Sequence, residues 1–188
     1  MQGSDALKFS MAPVARSDAR LFILGSLPGD ASLAARRYYA HPRNQFWQLL
    51  GGAIGENLQS LAYEQRLDRL AHHRIGLWDV IGSAVRRGSL DQAIRLAGHN
   101  PVEQLVHDFP RLEAIAFNGS TASAIGRRLI GGHSGIALID LPSSSPANTR
   151  AFAEKSAEWA RLAAFCGPAP CAEAGSGHDA PDDSDRNG

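Results

Sequence analysis

"RLFILGSLPGDASLAARRYYAHPRNQFWQLL", Arg20 to Leu50, decides how the chain reads. Its first six residues form a short apolar run ending in glycine, the pattern of a strand buried on both faces. A Gly-Ser-Leu-Pro-Gly loop follows. Two tyrosines, a histidine, a proline, an arginine, an asparagine, a phenylalanine and a tryptophan then crowd into residues 38–47. That density of polar and aromatic groups, straight after a strand, is more than a connector needs.

The same grammar repeats along the chain. "NQFWQLLGGAIG" (44–55) has Phe46, Leu49, Leu50 and Ile54 at helical spacing, and "NLQSLAYEQRLDRLAHH" (57–73) is an amphipathic helix. "IGLWDVIG" (75–82) reads as a second strand. Ser89 is placed to cap a helix over "LDQAIRLA". Asn100, Pro101 and Glu103 supply a cap, a first-turn proline and a capping acid for "VEQLVHDF". "LEAIAFNG" (112–119) is a third strand and "STASAIGRRLIGG" (120–132) a helix closed by glycines. "GIALIDLPSSSPAN" (135–148) is a fourth strand running into a loop, and residues 149–165 form a last helix.

Apolar strands alternating with helices predict an α/β fold with a parallel sheet covered on both faces. Ligands of such sheets gather beyond the C-terminal strand ends. Four stretches therefore converge: Gly25–Phe46, Trp78–Ser83, Asn118–Ser120 and Leu141–Asn148.

Composition bounds the function. The chain has 188 residues, suited to one domain, and 44% are hydrophobic. No apolar run approaches the ~20 residues of a membrane span, and the N-terminus carries no secretory pattern. Two cysteines, Cys166 and Cys171, imply no oxidising compartment, so a cytoplasmic location and no membrane partner are expected. Residues 168–188 carry five acids and one base and no aromatic residue, and read as a disordered tail. That leaves 18 basic and 14 acidic residues, a net of +4, in residues 1–167, which permits nucleic acid as a partner. The expected organisation is an extension over 1–19, a domain over 20–167 and the acidic tail.

Each motif also has a plainer reading. The Gly-Ser-Leu-Pro-Gly loop could be a tight turn, and it is neither a Walker loop nor a dinucleotide fingerprint. Asp79 could cap a strand end, "PSSSPAN" could be a polar loop, and His41 could be a structural histidine. His72 and His73 sit at a helix end, where solvated histidines are common. No cluster has metal-ligand spacing, and no Gly-x-Ser-x-Gly elbow supports a hydrolase triad.

Together, however, the four stretches resemble the uracil-DNA glycosylase superfamily. "LGSLPGDASLAARRYYAHPRNQFW" is similar to its first motif, above all in the hypoxanthine-DNA (deoxyinosine) glycosylase branch and next in the mismatch-specific uracil glycosylases. "GLWDVIGSAVRRGSLD" and "IAFNGSTA" resemble that branch's central segments, and "LPSSSPAN" stands in the place of the second motif. The resemblance runs from Leu21 to Phe165. It implies a three-layer α/β/α sandwich around a four-stranded parallel sheet, and a monofunctional glycosylase that flips a deaminated base out of DNA and encloses it. It implies Asn44 as the group that positions water, Tyr39 as the aromatic stacked on the base, and Asp79 at the base-reading position. Gly25, Ser26 and His41 would line the base. Pro28, Gly29, Ser143, Ser144, Ser145 and Asn148 would meet the DNA backbone, with Arg150 helping to fill the gap in the duplex.

Departures from the pattern carry information too. Where the uracil-specific branch has Asp and the mismatch-specific branch Asn, this chain has Leu27, which cannot orient water. The second motif begins Leu141-Pro142 rather than histidine-proline, and its wedging leucine is replaced around Ser145–Pro146. The four-cysteine iron-sulfur site of some relatives is absent, so no metal or cofactor is expected. Two function classes follow. One is an enzyme that excises hypoxanthine, uracil or xanthine and acts as a monomer on DNA. The other is a non-catalytic module of the same fold that binds lesions or abasic sites.

Overall fold

The computed structural model describes residues 7–132 and 135–167. The acidic tail lies outside the described residues. In chain order the regular elements are β1 (Leu7–Phe9), β2 (Leu21–Gly25), α1 (Asp30–Ala35), α2 (Phe46–Ile54) and α3 (Tyr63–His72). There follow β3 (Ile75–Asp79), β4 (Ile81–Arg86), β5 (Ile94–His99), α4 (Leu105–Asp108) and β6 (Ala114–Asn118). The last are α5 (Ser120–Ile130), β7 (Ala137–Leu141) and α6 (Phe152–Trp159).

Four of the strands make the expected parallel sheet, in the order β3-β2-β6-β7. Successive side chains of a strand face opposite sides, and β2 buries both. Leu21 and Ile23 join one core with Phe46, Trp47, Leu49 and Leu50 of α2, Leu70 of α3 and Trp159 of α6. Phe22 and Leu24 join a second core with Ala122 and Ile130 of α5, Leu105 of α4 and Ala84 of β4. A sheet with an apolar core on each face is the three-layer α/β/α sandwich. Each fully buried Leu, Ile or Phe in it contributes about 1.5–3 kcal/mol.

Three expectations are corrected. The run 75–82 is not one strand. It breaks after Asp79, because the Val80 and Ile81 amides donate to the carbonyls of Gly25 and Ser26 (2.9 and 3.0 Å) and turn the chain across the end of β2. The helix over 90–97 is not formed. Residues 94–99 instead pair antiparallel with β4, which also pairs with β1, giving a second sheet in the order β1-β4-β5. Hairpin pairing overrides the weak local helix preference. Ser89 accepts the amide of Asp30 (2.9 Å), so it braces the first-motif loop rather than a helix. Nor does Asn100 cap a helix. It donates to the Asp79 carbonyl (2.9 Å), and the helix expected there shrinks to a 3-10 turn, Val102–Gln104, and the single turn of α4.

Candidate active site

Parallel register lines the strand ends up in a row: Asp79 beside Gly25, and Asn118 beside Leu141. The first-motif loop leaves β2 at this edge and is gripped by the β4–β5 hairpin. Arg86, fully buried, donates to the carbonyls of Leu27 (3.0 Å), Pro28 and Gly88 (3.0 Å). Burial lowers its pKa, while Asp30, Asp91 and Asp79 favour its charge. Ser26 donates to Asp91 (2.6 Å), which ties its hydroxyl to the hairpin. In a trans peptide the carbonyl and the following N–H point opposite ways. Holding the Pro28 carbonyl on Arg86 therefore turns the Gly29 N–H away from the hairpin.

The aromatic run follows. Tyr39 sits in the left-handed region (φ 53°). A bulky residue there is strained by about 1–3 kcal/mol, and such strain clusters at functional sites. Its ring stacks on Phe46 at 3.6 Å and 5°. The next residues make a tight turn. The Asn44 amide donates to the His41 carbonyl (2.9 Å), and His41 Nδ1 accepts from the Arg43 amide (3.1 Å). Neutral His41 therefore carries its proton on Nε2. Asn44 Oδ1 accepts from the Phe46 amide (2.9 Å) at the first turn of α2. A carbonyl oxygen has two lone pairs, so this bond fixes the amide yet leaves it able to hold a water.

Asp79 is buried, 3% exposed, at the centre of the row. Its Oδ2 accepts from Ser10 (2.9 Å). Its Oδ1 lies over Gly25: a Cβ there would meet Oδ1 at 2.6 Å and the Tyr39 hydroxyl at 3.3 Å. Only glycine leaves room for both. Burial pushes the Asp79 carboxyl up to about 7, against the Ser10 and Tyr38 hydroxyls and Arg86, which lower it. The Tyr39 hydroxyl is raised by burial and by the nearby Asp79 charge.

The loop after β7 is braced from three sides. Asn118 and Ser144 pair reciprocally: the Ser144 amide donates to Asn118 Oδ1 (2.8 Å) and Asn118 Nδ2 to the Ser144 hydroxyl (2.9 Å). The Ser144 carbonyl accepts from the Gln45 amide (3.0 Å), joining the two motifs. Lys155, 1% exposed, donates to Gln45 Oε1 (2.9 Å) and the Asn148 carbonyl (2.7 Å). Within the loop, Ser143, Ser145 and Asn148 accept from the amides of Ser145, Ala147 and Arg150 (each 3.2 Å). Asn148 Nδ2 donates to the Ser143 carbonyl (3.0 Å). The hydroxyls of Ser143 and Ser145 accept there, which leaves their own protons for a ligand. The long helix α5 begins beside this loop, after Gly119 (φ 104°), with its positive end toward the site.

The model of the uracil DNA glycosylase superfamily matches residues 12–166. The chain belongs to that superfamily. It is similar to the hypoxanthine DNA glycosylase of Methanosarcina acetivorans, 42% identical over 153 residues, covering 81% of this chain and 96% of that one. The hypoxanthine DNA glycosylase of Methanosarcina barkeri is 39% identical over 155 residues, with the same coverage. A solution NMR structure of a Methanosarcina acetivorans protein, described as a candidate uracil DNA glycosylase, superposes with a TM-score of 0.75. It is 41% identical and covers 84% of this chain and 96% of its own.

In this member of the superfamily, Gly25, Tyr39 and Asp79 come together from the loop after β2 and the end of β3, and His41 and Asn44 form the turn that leads from Tyr39 into α2. Ser26 faces the hairpin instead. Ser144 is fully buried between Asn118 and Gln45, so in this arrangement it is a brace that no phosphate reaches. Arg150 is held on α6 by Glu158 (2.7 Å) and Glu154 (3.4 Å). Nothing in local spacing marks Ser10, Arg86, Asp91 or Lys155, and each arrives from a segment distant from the first motif, whereas Tyr38 and Asn118 lie within stretches that the sequence picks out. Among the described residues no group of three or more His, Cys, Asp or Glu could hold a metal ion, and no helix is long and apolar enough to cross a membrane.

Proposed function

We propose that the chain is a monofunctional DNA glycosylase that hydrolytically excises a deaminated base, hypoxanthine foremost, from damaged DNA. The observation that carries this reading is the convergence of Asp79 Oδ1 and the Tyr39 hydroxyl over the bare Cα of Gly25, with the Tyr39 ring stacked on Phe46, whose amide donates to Asn44. A flipped base stacks on the Tyr39 ring, which is held flat by Phe46. Asp79 reads the base edge. Hypoxanthine offers an N1–H donor and uracil an N3–H donor, whereas adenine offers an unprotonated N1. An ionised carboxylate accepts from the first two and repels the third.

Asn44 holds the water that attacks C1′. An amide is too weak a base to deprotonate it early, so departure of the base leads and Asn44 contributes position and polarity. The Ser143 and Ser145 hydroxyls and the Gly29 amide meet the flanking phosphates, helped by the positive end of α5. The working unit is residues 20–167 together with the segment from Leu7 that pairs with β4 and β3, acting as a monomer in the cytosol, with the tail outside it.

Labelled duplex carrying one deoxyinosine or one deoxyuridine, incubated with the protein and then treated with alkali, tests the reading. Strand breakage at the lesion supports it. A stable shifted band without breakage makes the chain a lesion-binding module and overturns catalysis.

A further inference from the structure

Residues 7–14 look like an extension in sequence, but they cross the end of β3 like a strap. Strand β1 pairs with β4, with Leu7 beside Val85 and Phe9 beside Ser83. The Ser10 amide donates to the Gly82 carbonyl (2.8 Å). The Met11 carbonyl accepts from Trp78 Nε1 (3.1 Å), and the Ala12 carbonyl from the Tyr38 hydroxyl (3.2 Å). Val14 exchanges both backbone bonds with Leu77 (2.9 and 2.8 Å). Ser10 thus stands on a backbone pinned before and after it, and its hydroxyl reaches the buried carboxylate of Asp79 at 2.9 Å.

We propose that Ser10 is a positioning residue for base recognition: it fixes the rotation of the Asp79 carboxylate so that Oδ1, not Oδ2, faces the base over Gly25. The proposal rests on the base-reading role of Asp79. A carboxylate at the end of a single-carbon side chain has a broad, two-fold torsion, so burial alone does not choose which oxygen points where. The Ser10 donor supplies that choice: it holds Oδ2 at 2.9 Å, and Oδ1 then lies at the one place where β2 lacks a side chain. The groups arranged around Asp79 are the hydroxyls of Ser10, Tyr38 and Tyr39 and the charges of Arg86 and Asp91. Of these, Ser10 alone comes from the strap. The strap is therefore part of the site rather than an appendage to the domain.

Ser10→Ala, Ser10→Cys and Ser10→Thr in the full chain test this, with single-turnover rates on inosine duplex measured against pH and the Asp79 carboxyl followed by ¹³C NMR. A hydrogen bond to a charged group is worth about tenfold or more. Ser10→Ala is expected to slow excision by about that factor. It should also move the acidic limb of the profile, and the NMR titration of Asp79, upward by about one pH unit, because a donor to the ionised form is lost. Ser10→Thr keeps the hydroxyl and should restore both. Ser10→Cys keeps the volume with a weak donor, and serves as the test should the alanine variant not fold. If Ser10→Ala or Ser10→Cys keeps the wild-type limb and titration, the positioning role is overturned, whatever happens to stability. Asp79→Asn is the control for the underlying reading: an unchanged inosine-to-uracil ratio there removes base reading itself.

Discussion

Asp79→Asn isolates the physics of the buried carboxylate. Burial raises its pKa from the ordinary 3.8 of an aspartate to about 7. Each pKa unit is 1.36 kcal/mol, so ionising Asp79 in the folded state costs about 4 kcal/mol more than in the unfolded chain. The sign follows from linkage. The folded state holds this proton more tightly, so the contribution to stability is fully present below about pH 4 and is lost as pH rises through about 7. Asparagine fills the same space and never ionises. The stability of Asp79→Asn relative to wild type should therefore improve by about 4 kcal/mol between pH 4 and pH 8, whatever its offset at either end. Urea unfolding of both proteins at several pH values in that window measures it. The same variant should lower the hypoxanthine-to-uracil excision ratio, since an amide can both accept from N3–H and donate to a uracil carbonyl. Wild-type excision of hypoxanthine should fall about tenfold per unit below pH 7, as the ionised acceptor is depleted. A stability difference that stays flat from pH 4 to pH 8 would show that Asp79 does not titrate there, and the reasoning would fail.

Other outcomes follow from the same geometry. Asn44→Ala should lose about 1 kcal/mol from the first turn of α2 and 10²-fold or more in single-turnover excision, with DNA affinity largely kept; a near wild-type rate takes Asn44 out of the mechanism. Arg86→Met should cost about 3–5 kcal/mol in urea unfolding, because carbonyls of Leu27, Pro28 and Gly88 lose a buried donor; a loss below about 1 kcal/mol would mean that the hairpin does not hold the loop. Removing residues 168–188 takes away four net negative charges and should leave excision intact while tightening non-specific DNA binding at low salt; a truncated protein that stops excising bases would contradict the placement of the tail outside the working unit.

The sequence by itself pointed to a parallel sheet covered on both faces, and the family resemblance implied the three-layer sandwich. Leu21–Leu24, Ile75–Leu77 and Ala114–Phe117 are short apolar runs that alternate with helical patterns, which is how strands buried on both faces read. It also determined which strand ends matter, because Gly25 and Asp79 close two of those runs with residues that a buried strand does not need. Local pattern failed where partners lay far away. Nothing in "LDQAIRLA" says that its neighbour is β4, since hairpin register depends on side chains across the turn rather than along the segment. Ser144 and Ser143 read alike in sequence, and only the tertiary structure buries one against Asn118 and leaves the other to offer its proton. The same holds for Ser10: its hydroxyl has no local meaning until residues 7–14 cross β3. The chain's own periodicity fixes which faces are apolar, but a hydrogen bond between segments 69 residues apart exists only once packing has brought them within 2.9 Å.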